Sequence, residues 1–108
     1  MSRTISIAKN FSRFPGGRFR TDGPFSGEAF RRKHLVPALR MDTPLSVDLN
    51  GTLGYGSSFL EEAFGGLVRV EEFTASRLRI LLRFVSDDPS LVEEIWSYIE
   101  GPLQRVSL

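Results

Sequence analysis

The chain has no cysteine and one histidine, His34, among its 108 residues. The first absence excludes a disulfide framework, a thiolate metal site and a cysteine nucleophile. The second leaves a multi-histidine metal centre without ligands and gives a serine nucleophile only one candidate base. No catalytic residue, metal or cofactor is expected on these grounds. Long apolar runs are also missing. No stretch approaches the roughly 20 apolar residues that span a bilayer. Met1 to Asn10 alternates apolar and polar residues instead of forming the apolar core of a secretory signal. The expectation is a cytoplasmic protein with no membrane association. Net charge is only +1, too little to favour nucleic acid as a partner, so Arg31-Arg32-Lys33-His34 reads as a solvated basic helix face.

What is present is ordinary globular usage, 41% hydrophobic and 25% charged. The length suits a single domain over 1–108. Charge is unevenly spread: residues 1–42 hold 9 of the 14 Lys/Arg and 3 of the 13 Asp/Glu. The two parts therefore carry opposite net charge, which either makes the surface bipolar or interleaves on folding.

Thr4-Ile5-Ser6-Ile7-Ala8 alternates with the period of a half-buried strand, which Phe11-Ser12-Arg13-Phe14 could extend. Pro15-Gly16-Gly17 marks a turn, with Arg18–Thr21 as the returning strand of a hairpin. Ser26 caps a helix with Glu28 in its first turn and Phe30, Leu35 and Leu39 on its apolar face; Pro37 predicts a kink or an end. Leu45–Leu49 is a second alternating strand. Ser58 with Glu61 matches a capping box, opening a helix that buries Leu60, Ala63, Phe64 and Leu67. Arg77 to Val85 is dense enough in apolar residues for a strand buried on both faces. Asp88-Pro89 opens a last helix, with Trp96 on its apolar stripe, and Gly101-Pro102 stops it. The order β(β)αβαβα indicates an α/β fold, a small mixed sheet covered by helices. An exposed edge of that sheet leaves a homodimer open.

Two segments are candidate sites. The Gly56-Ser57-Ser58 turn, with Phe59 and Glu61 beyond it, places free amides and two hydroxyls at a helix N-terminus. It is read either as cap and turn, or as a partner-binding and phospho-acceptor site. The second is Gly16-Gly17-Arg18-Phe19-Arg20 with Asp22, Glu28 and Arg31, read either as a solvated turn or as an anion or ligand cradle. The paired carboxylates Glu61-Glu62 and Glu71-Glu72 read as exposed helix turns.

Pro15-Gly16-Gly17-Arg18, Asp22-Gly23-Pro24, Ser26-Gly27-Glu28 and Phe30-Arg31 go together with the string Gly54-Tyr55-Gly56-Ser57-Ser58-Phe59-Leu60-Glu61-Glu62-Ala63-Phe64-Gly65-Gly66-Leu67. This pattern resembles the STAS-like domain family of uncharacterised bacterial proteins. The layout is distantly similar to the STAS anti-sigma-factor antagonists, in which a serine of an Asp-Ser-Ser-Gly turn is phosphorylated by a histidine-kinase-like ATPase. The resemblance implies a regulatory interaction module for signalling, with a protein partner in place of a substrate, which favours binding over catalysis and leaves an enzyme open. It puts Ser57 at the acceptor position and implies a histidine-kinase-like ATPase or sensor as protein partner. Gly56 stands where that motif has its aspartate, and Phe59 replaces its glycine. The rival reading is a small enzyme or nucleotide- or phosphate-ligand-binding protein that uses the arginine-rich loop 16–31.

Overall fold

A computed structural model describes the backbone over residues 3–106 and the side chains over 3–101. The two ends of the expected 1–108 domain therefore lie outside the described residues. The first alternating run forms strand β1, Arg3–Ser6. It does not extend to Phe14. The Ser6 hydroxyl accepts a hydrogen bond from the Lys9 amide, the Ser6 amide donates to Asn10 Oδ1, and the chain closes a wide five-residue turn over Ile7–Phe11. These short polar side chains offer the backbone a local alternative to the sheet.

The hairpin partner is absent as well. Arg18–Thr21 does not return as a strand, and Arg20–Asp22 forms a 3₁₀ turn. Asp22 Oδ2 accepts from the amides of Arg18 (3.2 Å) and Phe19 (2.8 Å), which bends the segment on itself.

Helix α1 spans 27–40 and starts as expected, the Ser26 hydroxyl accepting from the Ala29 amide at 3.2 Å. It widens into a π-helical turn at Arg31–Leu35, where the Val36 amide reaches Arg31 O. This resets the hydrogen-bond register just ahead of Pro37, which has no N–H to contribute. The helix then runs on to Arg40 instead of ending at the proline.

Strand β2 is Leu45–Asp48. Helix α2 spans 57–69, with another wide turn at Glu61–Gly65. The segment expected as a long buried strand divides in two. Thr74 caps helix α3, Ala75–Leu81, accepting from the Arg77 amide, and strand β3 is only Leu82–Val85. Within α3, Leu78 and Leu81 are buried while Ile80 is exposed, a three-residue spacing that only a helix puts on one side. Helix α4, Pro89–Val106, is broken at Gly101, whose φ of 74° lies in the left-handed region.

Among the described residues, three strands pair in parallel, in the order β1-β2-β3. The antiparallel member of the expected mixed sheet is missing because its hairpin does not form. Parallel neighbours need crossover connections, and α1 and the pair α2–α3 supply them. Register puts Ile5, Val47 and Phe84 in one row, beside Leu45 and Leu82 on the same face. That face packs on Phe30, Leu35, Phe59, Phe64, Leu67, Ile95 and Ile99, all fully or almost fully buried. Phe84 meets Phe64 and Trp96 edge-on at 5.3 and 5.5 Å. The opposite face carries Thr4, Ser46 and Arg83, then Ser6, Asp48 and Val85, none of them buried. The result is a two-layer α/β arrangement with one polar, open sheet face.

Candidate functional site

The serine turn lies between β2 and α2. Tyr55 anchors its approach: the ring sits 6.0 Å from Phe59, and the hydroxyl donates to Leu49 O at 2.8 Å. Burial pushes the Tyr55 phenol above its ordinary pKa. Phe59 is wholly buried against Phe11, Phe30 and Tyr55. It fixes the turn from beneath and presents no surface of its own. The helix N-cap is Gly56, in extended conformation, and no side chain takes part in the cap. The expected Ser58–Glu61 capping box does not form. Ser57 and Ser58 are the first two helical residues instead, both exposed, and neither hydroxyl has a hydrogen-bond partner among the described residues. Leu60 is the first amide to find an intrahelical acceptor, Gly56 O at 3.2 Å, so the preceding amides face outward with the positive end of the helix dipole.

Glu61 is drawn away from the cap by two arginines. Its Oε1 accepts from Arg18 at 2.5 Å, and Oε2 pairs with Arg69. Burial works to raise the Glu61 pKa, but the hydrogen bonds from Arg18 and Arg69 outweigh it and hold the carboxyl below its ordinary 4.5. A carboxylate depressed in the fold stabilises above its unfolded pKa, and that share disappears as pH falls through the folded value. In an acid titration followed by circular dichroism, wild type should therefore exceed Glu61→Gln in stability near neutral pH. The difference should shrink below about pH 4.5; a gap that stays constant with pH would contradict the pairing.

Glu62, expected on an exposed turn, is 3% exposed. It lies in the wide turn of α2, where Ala63, Phe64 and Gly65 are buried with it. There Oε2 accepts from Arg31 at 2.7 Å and Oε1 from Arg69 at 3.0 Å and Arg18 at 3.2 Å. Arg31, 2% exposed, also donates to Glu62 O at 2.6 Å and, through Nε, to Glu71 Oε2 at 3.0 Å. Arg40 reaches the other Glu71 oxygen at 3.3 Å. The uneven charge of the sequence thus interleaves: Arg18, Arg31 and Arg40 from the basic part meet Glu61, Glu62 and Glu71 from the acidic part. A bipolar surface does not follow.

The expected anion cradle is brought together only in part. Arg18 and Arg31 converge on Glu62, so an anion at that point would have to displace carboxylates already in place. Glu28 accepts from the Arg20 amide at 2.9 Å, and the Asp22 carboxylate is engaged with loop amides. Gly16 and Gly17 lie against the 25–27 segment through hydrogen bonds from Gly16 to Phe25 O and from Gly27 to Gly17 O. Loop 16–23 is therefore strapped to the N-terminus of α1 and, through Arg18, to α2.

Two participants escaped sequence reasoning. Arg69 grips both Glu61 and Glu62, and its helical spacing from them was the available signal. Gly66 is the second, a buried helical position beside Arg31. A Cβ there would fall 2.3 Å from Arg31 Nη1, so the glycine makes room for the buried guanidinium.

A family profile described as STAS-like domain of unknown function (DUF4325) matches residues 26–91. The chain belongs to this family. The match runs from the Ser26 cap through α1, β2, the serine turn, α2, α3 and β3, and so contains most of the ion-pair cluster. No curated protein and no solved structure matches the chain. Among the described residues, no helix of this STAS-like chain is long and apolar enough to cross a membrane.

Proposed function

We propose that this STAS-like chain is a regulatory protein-interaction module. It engages a partner, a histidine-kinase-like ATPase or a sensor domain, through the Gly54–Phe59 turn and the exposed side of α2, with Ser57 as a phospho-acceptor. The observation that carries this reading is the release of both serines from capping: Gly56 is the N-cap, and two hydroxyls with no partner among the described residues stand in the first turn. A phosphate there adds nearly two negative charges at the positive end of a helix dipole. Ser57 also lies one helical turn above Glu61, which holds Arg18. A phosphoryl group would compete for that arginine and loosen the strap of loop 16–23. Exposed apolar side chains border the turn. Leu53 is 73% exposed, Phe14 is 66% exposed, and the Leu53 amide donates to Arg13 O at 3.0 Å. Apolar groups beside a charge-switchable turn suit a protein surface better than a small substrate.

The test is co-purification from native lysate with tagged wild type, Ser57→Asp and Leu53→Asp chains. The aspartate at Ser57 is expected to change recovery of the ATPase or sensor at least several-fold, and Leu53→Asp to abolish it. Equal recovery by all three would refute the turn as the contact.

A further inference from the structure

A second feature lies away from the serine turn. Beside the free edge of β1, a groove of about 330 Å³ opens against α1, lined by Arg3, Thr4, Asn10, Lys33 and His34, with Pro37 and Ala38 as its apolar wall. Most arginines of the fold have a carboxylate partner, but Arg3 and Lys33 have none among the described residues. Among the described residues, no acidic side chain lines the groove. Two uncompensated cations thus face a common space.

His34 adds an independent observation. Its ring packs against Phe11 and Phe30, each at 5.6 Å, and Nε2 is buried with no hydrogen-bond partner. Burial first, and then the neighbouring Lys33 charge, lower its pKa, so the imidazole is neutral near pH 7. A neutral imidazole carries its proton on one nitrogen only, and an unpaired N–H is the costlier group to enclose in apolar surroundings. The proton accordingly sits on Nδ1, the nitrogen not enclosed. The groove then offers a guanidinium, an ammonium and an imidazole N–H, with no carboxylate among its described lining residues to repel an anion.

We infer that this groove binds a dianionic tetrahedral oxyanion of the phosphate class. The guanidinium and ammonium supply charge-assisted hydrogen bonds, which are the stronger kind, and the imidazole N–H supplies a directional one. Inorganic phosphate and the phosphoryl group of a small ester share this chemistry, and the volume exceeds what the bare anion fills. The inference is independent of the serine turn, because no groove residue belongs to it.

The chain's single histidine makes the test direct. Sulfate, whose charge is constant near neutral pH, is titrated into the full chain at fixed ionic strength in chloride, while the His34 ring resonances are followed by NMR. A saturable shift and a raised His34 pKa are expected. Lys33→Ala and Arg3→Ala should each weaken binding about tenfold, the loss of one charge-assisted hydrogen bond. Arg20→Ala, an exposed arginine outside the groove, should leave it unchanged. A small drift that never saturates, or one identical in all four proteins, would overturn the site. Parallel titrations with inorganic phosphate and glycerol phosphate then separate the sources: tighter binding of the ester assigns a phosphorylated metabolite, and the reverse assigns free phosphate.

Discussion

Glu62→Ala is expected to destabilise the fold by about 3–5 kcal/mol, the usual cost of removing one partner from a buried ion pair. The reason is what remains behind. Arg31 is almost fully enclosed and would lose a side-chain acceptor, and Arg18 and Arg69 would lose the oxygen they share. Arg31→Ala should cost a similar amount, since Glu62 would keep only its contacts from the more exposed Arg18 and Arg69. The double replacement Arg31→Met with Glu62→Leu should cost much less than the sum of the single changes, because no unpaired charge is left in the interior. Urea unfolding of the four proteins measures this. Single changes that each cost under about 1 kcal/mol would mean that the cluster is solvated like a surface network.

The second large effect is expected at Gly27. Helix propensity alone predicts that Gly27→Ala gains up to about 1 kcal/mol. Packing predicts the opposite. A Cβ at Gly27 would lie 2.4 Å from Phe59 O and 3.0 Å from the Ala63 nitrogen. Both are backbone atoms of α2, which cannot turn aside as a side chain can. The helices must separate, and a cost of about 3 kcal/mol, the upper part of the range for overpacking, is expected. Gly16→Ala is the control, with nothing within 4 Å of its Cβ, and should be close to neutral. Thermal unfolding midpoints distinguish the two. A stabilised Gly27→Ala would show that α1 and α2 are not in contact at that point. Gly27 and Gly66 lie in the strings that carried the family resemblance, and both are sites of close approach around the Arg31–Glu62 pair.

Much of this was legible from residue pattern. The alternation of β1 and β2, the Ser26 cap, the apolar stripe of α4 and the break at Gly101 follow from local rules, and each is found. Local rules failed where tertiary contacts chose between two acceptable conformations. Ser58 had a capping partner in Glu61, but Arg18 and Arg69 bind that carboxylate more strongly than a backbone amide would. Arg77 to Val85 had apolar residues at nearly every position, which erases the difference between helical and strand periods. Only the burial of Leu78 and Leu81 beside the exposed Ile80 separates them. Glu62 looked solvated because a glutamate next to a glutamate usually is. Its burial depends on Arg31, which is 31 residues away in sequence.

The serine turn was the most conspicuous feature of the sequence, and the structure changes why it matters. Its serines do not cap α2, so their hydroxyls are available for something else. Purifying the chain from its native cells and mapping phosphate on the peptide that contains Ser57 and Ser58 tests the account most directly. The prediction is a phosphate on Ser57, with the ATPase or sensor recovered differently by the phosphorylated and unphosphorylated forms. A turn that is never modified under any growth condition, together with equal partner recovery by wild type and Ser57→Asp, would contradict it.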